Sequence, residues 1–144
     1  MCAIIGFTSK TLTADEARPY FDRTVSRGPD ATRLEKVGSA SCLGFHRLAI
    51  MGLHEEGMQP FHLGGDMAVC NGELYGFRPL KKELEAKGYT FASESDCELI
   101  LPLYREYGVE MFAKLDAEFA MIIYDAKADR LVAARDPIGI RPLF

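Results

Sequence analysis

The sequence predicts an α+β domain built on antiparallel sheets, and three observations lead there. A length of 144 residues suits one domain with a real core. Short apolar runs of strand length recur from end to end, and two pairs of them are separated only by turn residues. Two or three stretches of helical period interrupt the strands.

Taken in order, Cys2 to Phe7 is an apolar run consistent with a buried strand. Thr13 and Glu16 have capping-box spacing and open a helix. Pro19 should kink that helix or delay its start. Arg27-Gly28-Pro29-Asp30 is turn chemistry. Arg33 to Val37 and Ala40 to Ile50 read as an antiparallel strand pair, and Gly52 to Gly65 reads as a loop. Asp66 to Cys70 is a strand that runs into Asn71-Gly72. From Phe77 to Lys87, Phe77, Leu80 and Leu84 share one helical face, with Gly88 as the stop. Tyr89 to Ala92 reads as a short strand. Ser95 and Glu98 repeat the capping-box spacing, but Pro102 lies in the apolar run behind them and predicts a bend or a later helix start. Phe119 to Tyr124 and Arg130 to Arg135 are strands around a turn at Asp125 to Asp129. The chain stops at Phe144 just after a further strand-like segment begins, which suggests a piece of a longer protein.

Composition narrows the partners. Hydrophobic residues at 48% and charged residues at 26% are those of a soluble globular chain. No run approaches the roughly 18 apolar residues of a membrane span, and Cys2 to Phe7 is too short, and lacks the basic leader, for a signal peptide. A cytoplasmic chain without a membrane partner is expected. The net charge of -4 argues against nucleic acid, which is bound by clusters of Lys and Arg. Cys2, Cys42, Cys70 and Cys97 are widely spaced, and His46, His54 and His62 lack ligand spacing, so neither a disulfide framework nor a metal site is expected. Cys42 and Cys70 read as buried thiols.

Cys2 differs by its position. Loss of the initiator methionine, usual before a small residue, would leave a thiol and a free α-amine on one residue. Ordinary pKa values of about 8.5 and about 7.7–8.0 let the neutral amine take the thiol proton near physiological pH. Position alone leaves two readings open: a nucleophile carrying its own base, or a small hydrophobe heading a buried strand.

Seven segments bear on that choice. Met-Cys-Ala-Ile-Ile-Gly at the start, Arg-Gly-Pro-Asp at 27–30, His-Arg-Leu-Ala-Ile at 46–50 and Asn-Gly-Glu-Leu-Tyr at 71–75 come first. Ser-Asp-Cys-Glu at 95–98, Leu-Asp-Ala-Glu-Phe-Ala at 115–120 and Ala-Arg-Asp-Pro-Ile-Gly-Ile-Arg-Pro-Leu-Phe at 134–144 come after them. In this order they closely resemble the class II glutamine amidotransferase domain of glutamine-dependent asparagine synthetases, over essentially the whole chain. The resemblance implies an N-terminal-nucleophile hydrolase fold, an αββα sandwich of two stacked antiparallel sheets flanked by helices, spanning residues 1–144 as one glutaminase domain.

The resemblance also implies roles. Cys2 would attack the side-chain amide of L-glutamine, giving glutamate and ammonia. Asn71, through its amide, and Gly72, through its backbone N–H, would form the oxyanion hole. Asn-Gly is equally the favoured two-residue hairpin turn, although the segment from Phe77 onward has helical period. Arg47 would hold the α-carboxylate with its planar fork. Glu73 and Asp96 would receive the α-ammonium, and the backbone from Leu48 to Ile50 would frame the pocket. Arg27 and Asp30 would support the site. No cofactor is implied here, since ATP and Mg belong to a C-terminal synthetase domain beyond this chain, which would be its partner; a homodimer is compatible. Ala3, Ser26, Gly76 and Ala117 depart from the usual family residues without touching a proposed catalytic atom. Two other readings stay open: a class II domain serving a sugar-phosphate or phosphoribosyl acceptor, and an inactive docking homologue.

Overall fold

The computed structural model describes residues 2–50 and 54–144. Methionine removal, and the part of the expected loop at 52–53, lie outside the described residues. Two antiparallel sheets form. The first has the order β1-β3-β2, from Ala3–Thr8 (β1), Ala31–Val37 (β2) and Ser41–Arg47 (β3). The second has the order β4-β5-β6-β7, from Phe61–Leu63, Asp66–Leu74, Ala117–Asp125 and Arg130–Arg135. Helices α1 (Ala14–Phe21), α2 (Phe77–Ala86) and α3 (Ile100–Tyr107) complete the domain.

Side-chain alternation stacks these layers. Leu43 and Phe45 of β3 meet Met67 and Val69 of β5 and Ile122 and Tyr124 of β6 in the core between the sheets. The opposite face of β5 and β6, carrying Ala68, Cys70, Leu74, Phe119, Met121 and Ile123, packs on Phe77 and Leu84 of α2 and Leu101 and Leu103 of α3. Phe21 of α1 stacks on His46 of β3 at 3.7 Å, covering the outer face of the first sheet. The order is helix, sheet, sheet, helix, as the resemblance implies.

Several expectations need correction. Pro19 does not delay α1, which starts directly behind the Thr13 cap, where both capping-box bonds form. Past Phe21 the chain tightens into a 3-10 turn over Asp22–Arg27. β1 is half-buried rather than buried, because it lies at a sheet edge. β3 ends at Arg47, since the Leu48 and Ala49 N–H groups turn to the Cys2 thiol and the Asp30 carboxylate. The expected loop contains a 3-10 turn, Glu55–Gly57, and β4. Tyr89 to Ala92 forms no strand: Ala92 and Ser93 N–H donate to the Glu98 carboxylate, not to a neighbouring strand. Glu98 is thereby drawn away from Ser95, which makes no cap bond. Behind it a 3-10 turn over Asp96–Leu99 precedes α3, so the later start that Pro102 predicts is seen.

β5 runs through Asn71-Gly72 to Leu74 without turning. That continuity positions the site. Asn71 and Glu73 keep the parity of Met67 and Val69 and face the first sheet, so the row changes from apolar to polar where the inter-sheet core ends.

Candidate active site

A cavity of about 150 Å³ opens at this end of the sandwich. β5 supplies Asn71, Gly72 and Glu73, and the chain start supplies Cys2. The end of β3 and the turn after it supply Arg47, Leu48 and Ile50, and the 3-10 turn before α3 supplies Asp96. All eight sequence-named site residues are therefore brought together. Ile50 stands at the mouth, 74% exposed, whereas Asn71 and Asp96 are buried.

The free edge of β5 has a specific logic. β4 pairs with β5 only as far as Ala68, so the edge beyond lacks a neighbouring strand. Phe119, opposite Gly72, uses its own N–H and C=O on Asp136, at 3.2 and 2.8 Å. Its peptide groups point away from β5, and by antiparallel geometry those of Gly72 point away from β6. Cys70, Gly72 and Leu74 thus present N–H and C=O groups along the open edge. Gln59 Oε1 accepts the Cys70 N–H at 2.6 Å, and Asp96 Oδ2 accepts the Leu74 N–H at 2.6 Å. Between them, the Gly72 N–H has no such side-chain acceptor among the described residues. A Cβ at Gly72 would overlap the Glu118 carbonyl oxygen and approach Phe119 Cα at 2.7 Å. The glycine is thus required by the close approach of β6, rather than by space on the cavity side.

The Cys2 thiol lies against Leu48, whose N–H donates to Sγ at 3.4 Å and whose carbonyl is 3.7 Å away. Arg27 donates to the Cys2 carbonyl at 3.3 Å, and Asp30 accepts the Ala49 N–H at 2.8 Å, so the Arg-Gly-Pro-Asp turn fastens the segments on both sides of the thiol. Gly28 lets that turn lie on β3, because a Cβ there would overlap the His46 carbonyl. Arg47 donates to the His54 carbonyl at 3.1 Å, which ties it to the start of the 3-10 turn at Glu55–Gly57. His46 is buried, held by Thr32 and the Phe21 carbonyl, and is occupied structurally.

Sequence reasoning missed two groups here. Gln59 also donates to the Cys70 carbonyl at 3.1 Å, and Arg141 lines the cavity in an ion pair with Glu118. Arg141 sits in a turn organised by Asp136. Burial pushes that carboxyl up, but backbone N–H groups of Arg141, Ile140, Gly139 and Phe119 outweigh it and bring the group down to about 2. Nothing in the local pattern marks Gln59 as part of a site, and Arg141, although inside the quoted segment at 134–144, carries no assigned role there. Cys97 also lines the cavity; its neighbour Cys70 and burial keep its thiol well above the ordinary range, so it is not an activated nucleophile.

Among the described residues, no cluster of His, Cys, Asp and Glu could hold a metal ion, and no helix is long and apolar enough to cross a membrane. The arrangement suits a small amphoteric substrate: a thiol and a backbone donor at one wall, with an arginine and two carboxylates around it.

Comparisons with known proteins bear on that chemistry. A family described as the glutamine amidotransferase domain matches residues 1–144. The chain is 38% identical to a probable glutamine-hydrolysing asparagine synthetase of Acanthamoeba polyphaga mimivirus, over 100% of this chain and 27% of that protein. It is 39% identical to glutamine-hydrolysing asparagine synthetase 1 of Bacillus subtilis, over 100% of this chain and 24% of that protein. The chain thus spans about a quarter of the length of these relatives. Among solved structures it is similar to the glutamine phosphoribosylpyrophosphate amidotransferase of B. subtilis, with a TM-score of 0.59 and 25% identity over 74% of this chain and 25% of that one.

Proposed function

The chain belongs to the glutamine amidotransferase domain family, a family of enzyme domains, and from that footing we propose that it hydrolyses L-glutamine to glutamate and ammonia through a γ-glutamyl thioester on Cys2. With Met1 removed, the α-amine of Cys2 takes the thiol proton, and Sγ attacks the side-chain carbonyl carbon of glutamine. The tetrahedral oxygen is stabilised by the Gly72 N–H and the Asn71 amide. The C–N bond breaks, the ammonium returns its proton to the leaving nitrogen, and ammonia departs. Water then adds to the thioester with the amine again as base, releasing glutamate and the thiol. Arg47 holds the α-carboxylate, Glu73 and Asp96 receive the α-ammonium, and Leu48 and Ile50 frame the pocket.

The observation that carries this reading is the convergence of Cys2 Sγ and the uncommitted Gly72 N–H on a cavity that also holds Arg47, Glu73 and Asp96. Each group has a separate job on one substrate. A docking homologue has no use for a backbone donor kept open beside a thiol.

For the fate of the ammonia, we take asparagine synthesis, by a synthetase domain using ATP and Mg beyond this chain. Identities of 38–39% over the whole of this chain to proteins named asparagine synthetases support this choice. The test of the core reaction is ammonia release from glutamine by protein whose intact mass shows Met1 gone. We expect turnover in that sample and none in Cys2→Ala. Ammonia release that survives the substitution removes Cys2 as nucleophile.

A further inference from the structure

Gln59 has an unusual task. Its carboxamide is the side-chain group that offers a donor and an acceptor in the geometry of a peptide. Both are spent on one residue of β5: Oε1 accepts the Cys70 N–H at 2.6 Å and Nε2 donates to the Cys70 carbonyl at 3.1 Å. The side chain is 5% exposed and occupies the place that a neighbouring strand would fill. Two residues further on, Gly72 directs its N–H along the same edge, and two beyond that the Leu74 N–H is held by Asp96. The donor proposed to meet the oxyanion is thus suspended between two side-chain clamps.

We infer that Gln59 is a positioning residue, which aims the Gly72 N–H by pinning the β5 edge at Cys70; the inference rests on the glutaminase reading. Gln59 also lines the cavity, but its amide is committed to the backbone at both ends, so it acts through the strand and not on the substrate. Removing it leaves a buried N–H and C=O without partners beside the cavity, an unfavourable state relieved by admitting water or shifting the strand. Either response moves a donor whose value depends on its being fixed before the charge develops.

The test uses Q59M, which keeps the length and apolar stem and removes both bonds. Steady-state ammonia release should show kcat lower by about tenfold with KM for glutamine within about twofold, the pattern of an interaction made in the transition state. The γ-aldehyde of glutamate, which adds to a thiol to give a hemithioacetal with its oxygen at the oxyanion position, should lose affinity by a similar factor. Alkylation of Cys2 by iodoacetamide, which needs no oxyanion hole, should keep its wild-type rate. Unchanged kcat overturns the inference, as does a lower kcat with unaltered aldehyde affinity or a change confined to KM. If Q59M does not fold, Q59E carries the same measurements, since it retains an acceptor for the Cys70 N–H; failure of both to fold makes Gln59 a fold determinant and also overturns the inference. A wild-type chain that releases no ammonia instead sinks the glutaminase reading, whereas an active wild type equalled by Q59M sinks the positioning role alone.

Discussion

Glu73 of β5 stands directly opposite Glu118 of β6 in the antiparallel register. Like charges so placed oppose strand pairing, and the arrangement persists because Arg141 pairs with Glu118, each side chain being 17% exposed. The charge of Glu118 is answered within the protein, which leaves Glu73 as the acid proposed to meet the substrate ammonium. Arg141→Met strands a largely buried carboxylate facing a second one. We expect a loss of unfolding free energy on the order of 3 kcal/mol in urea denaturation, most of it recovered when Glu118→Gln is added. Strict additivity of the two substitutions would show that they do not act on one interaction.

Asn71 shares the sheet face of Glu73 and is 8% exposed beside the Gly72 donor. Its proposed contact is with charge that exists only after attack on the carbonyl. Asn71→Ala should therefore lower kcat by roughly 10²–10³ with little change in KM, the usual size for one lost oxyanion donor. A change in KM alone would make Asn71 a ground-state contact.

Much of the fold was legible in the residues, and the parts that were not have physical causes. The capping box at Thr13, the stop at Gly88 and the strand pair around Asp125 to Asp129 are local signals, and local hydrogen bonds decide them. Tyr89 to Ala92 fails because strand formation needs a neighbour and Glu98 offered its backbone a closer acceptor. Asn71-Gly72 illustrates the same dependence in reverse: the favoured hairpin dipeptide stays extended because β6 pairs along its full length. Residues of the site named by resemblance to ordered motifs meet in one cavity. Gln59 went unmarked, and Arg141 stood in the quoted segment at 134–144 without a role, because their partners, Cys70 and Glu118, lie 11 and 23 residues away and make no pattern at that separation.

Two glycines separate crowding from backbone conformation. Gly72→Ala would place its Cβ on the β6 backbone, which is not a flexible side chain that can swing aside. The strands must part, at a cost of about 1–3 kcal/mol in stability, and activity should fall further as the N–H turns. Gly76 has φ 58, a left-handed conformation that Asn also adopts, and nothing lies within 4 Å of a Cβ there. Gly76→Asn should therefore change stability by less than about 0.5 kcal/mol. Chemical denaturation of both variants checks the contrast; equal effects would mean that β6 is not the constraint.

Asp136 joins the chemistry to pH. Its folded pKa, about 2, is held below the ordinary carboxylate value of about 3.9 by four backbone N–H donors that remain after burial has acted against them. A depressed folded pKa means that the unfolded chain binds the proton first as pH falls. The stabilisation is therefore complete above about pH 4 and is lost as the pH descends through the folded value. The donors belong to β6 at Phe119, opposite Gly72, and to the turn that carries Arg141, so acid should loosen the cavity wall from behind. Denaturation midpoints measured from pH 7 down to pH 2 should converge for wild type and Asp136→Asn at the acid end and separate above about pH 4, with the variant less stable. A gap of constant size across that range would mean that the charge of Asp136 does not hold the turn.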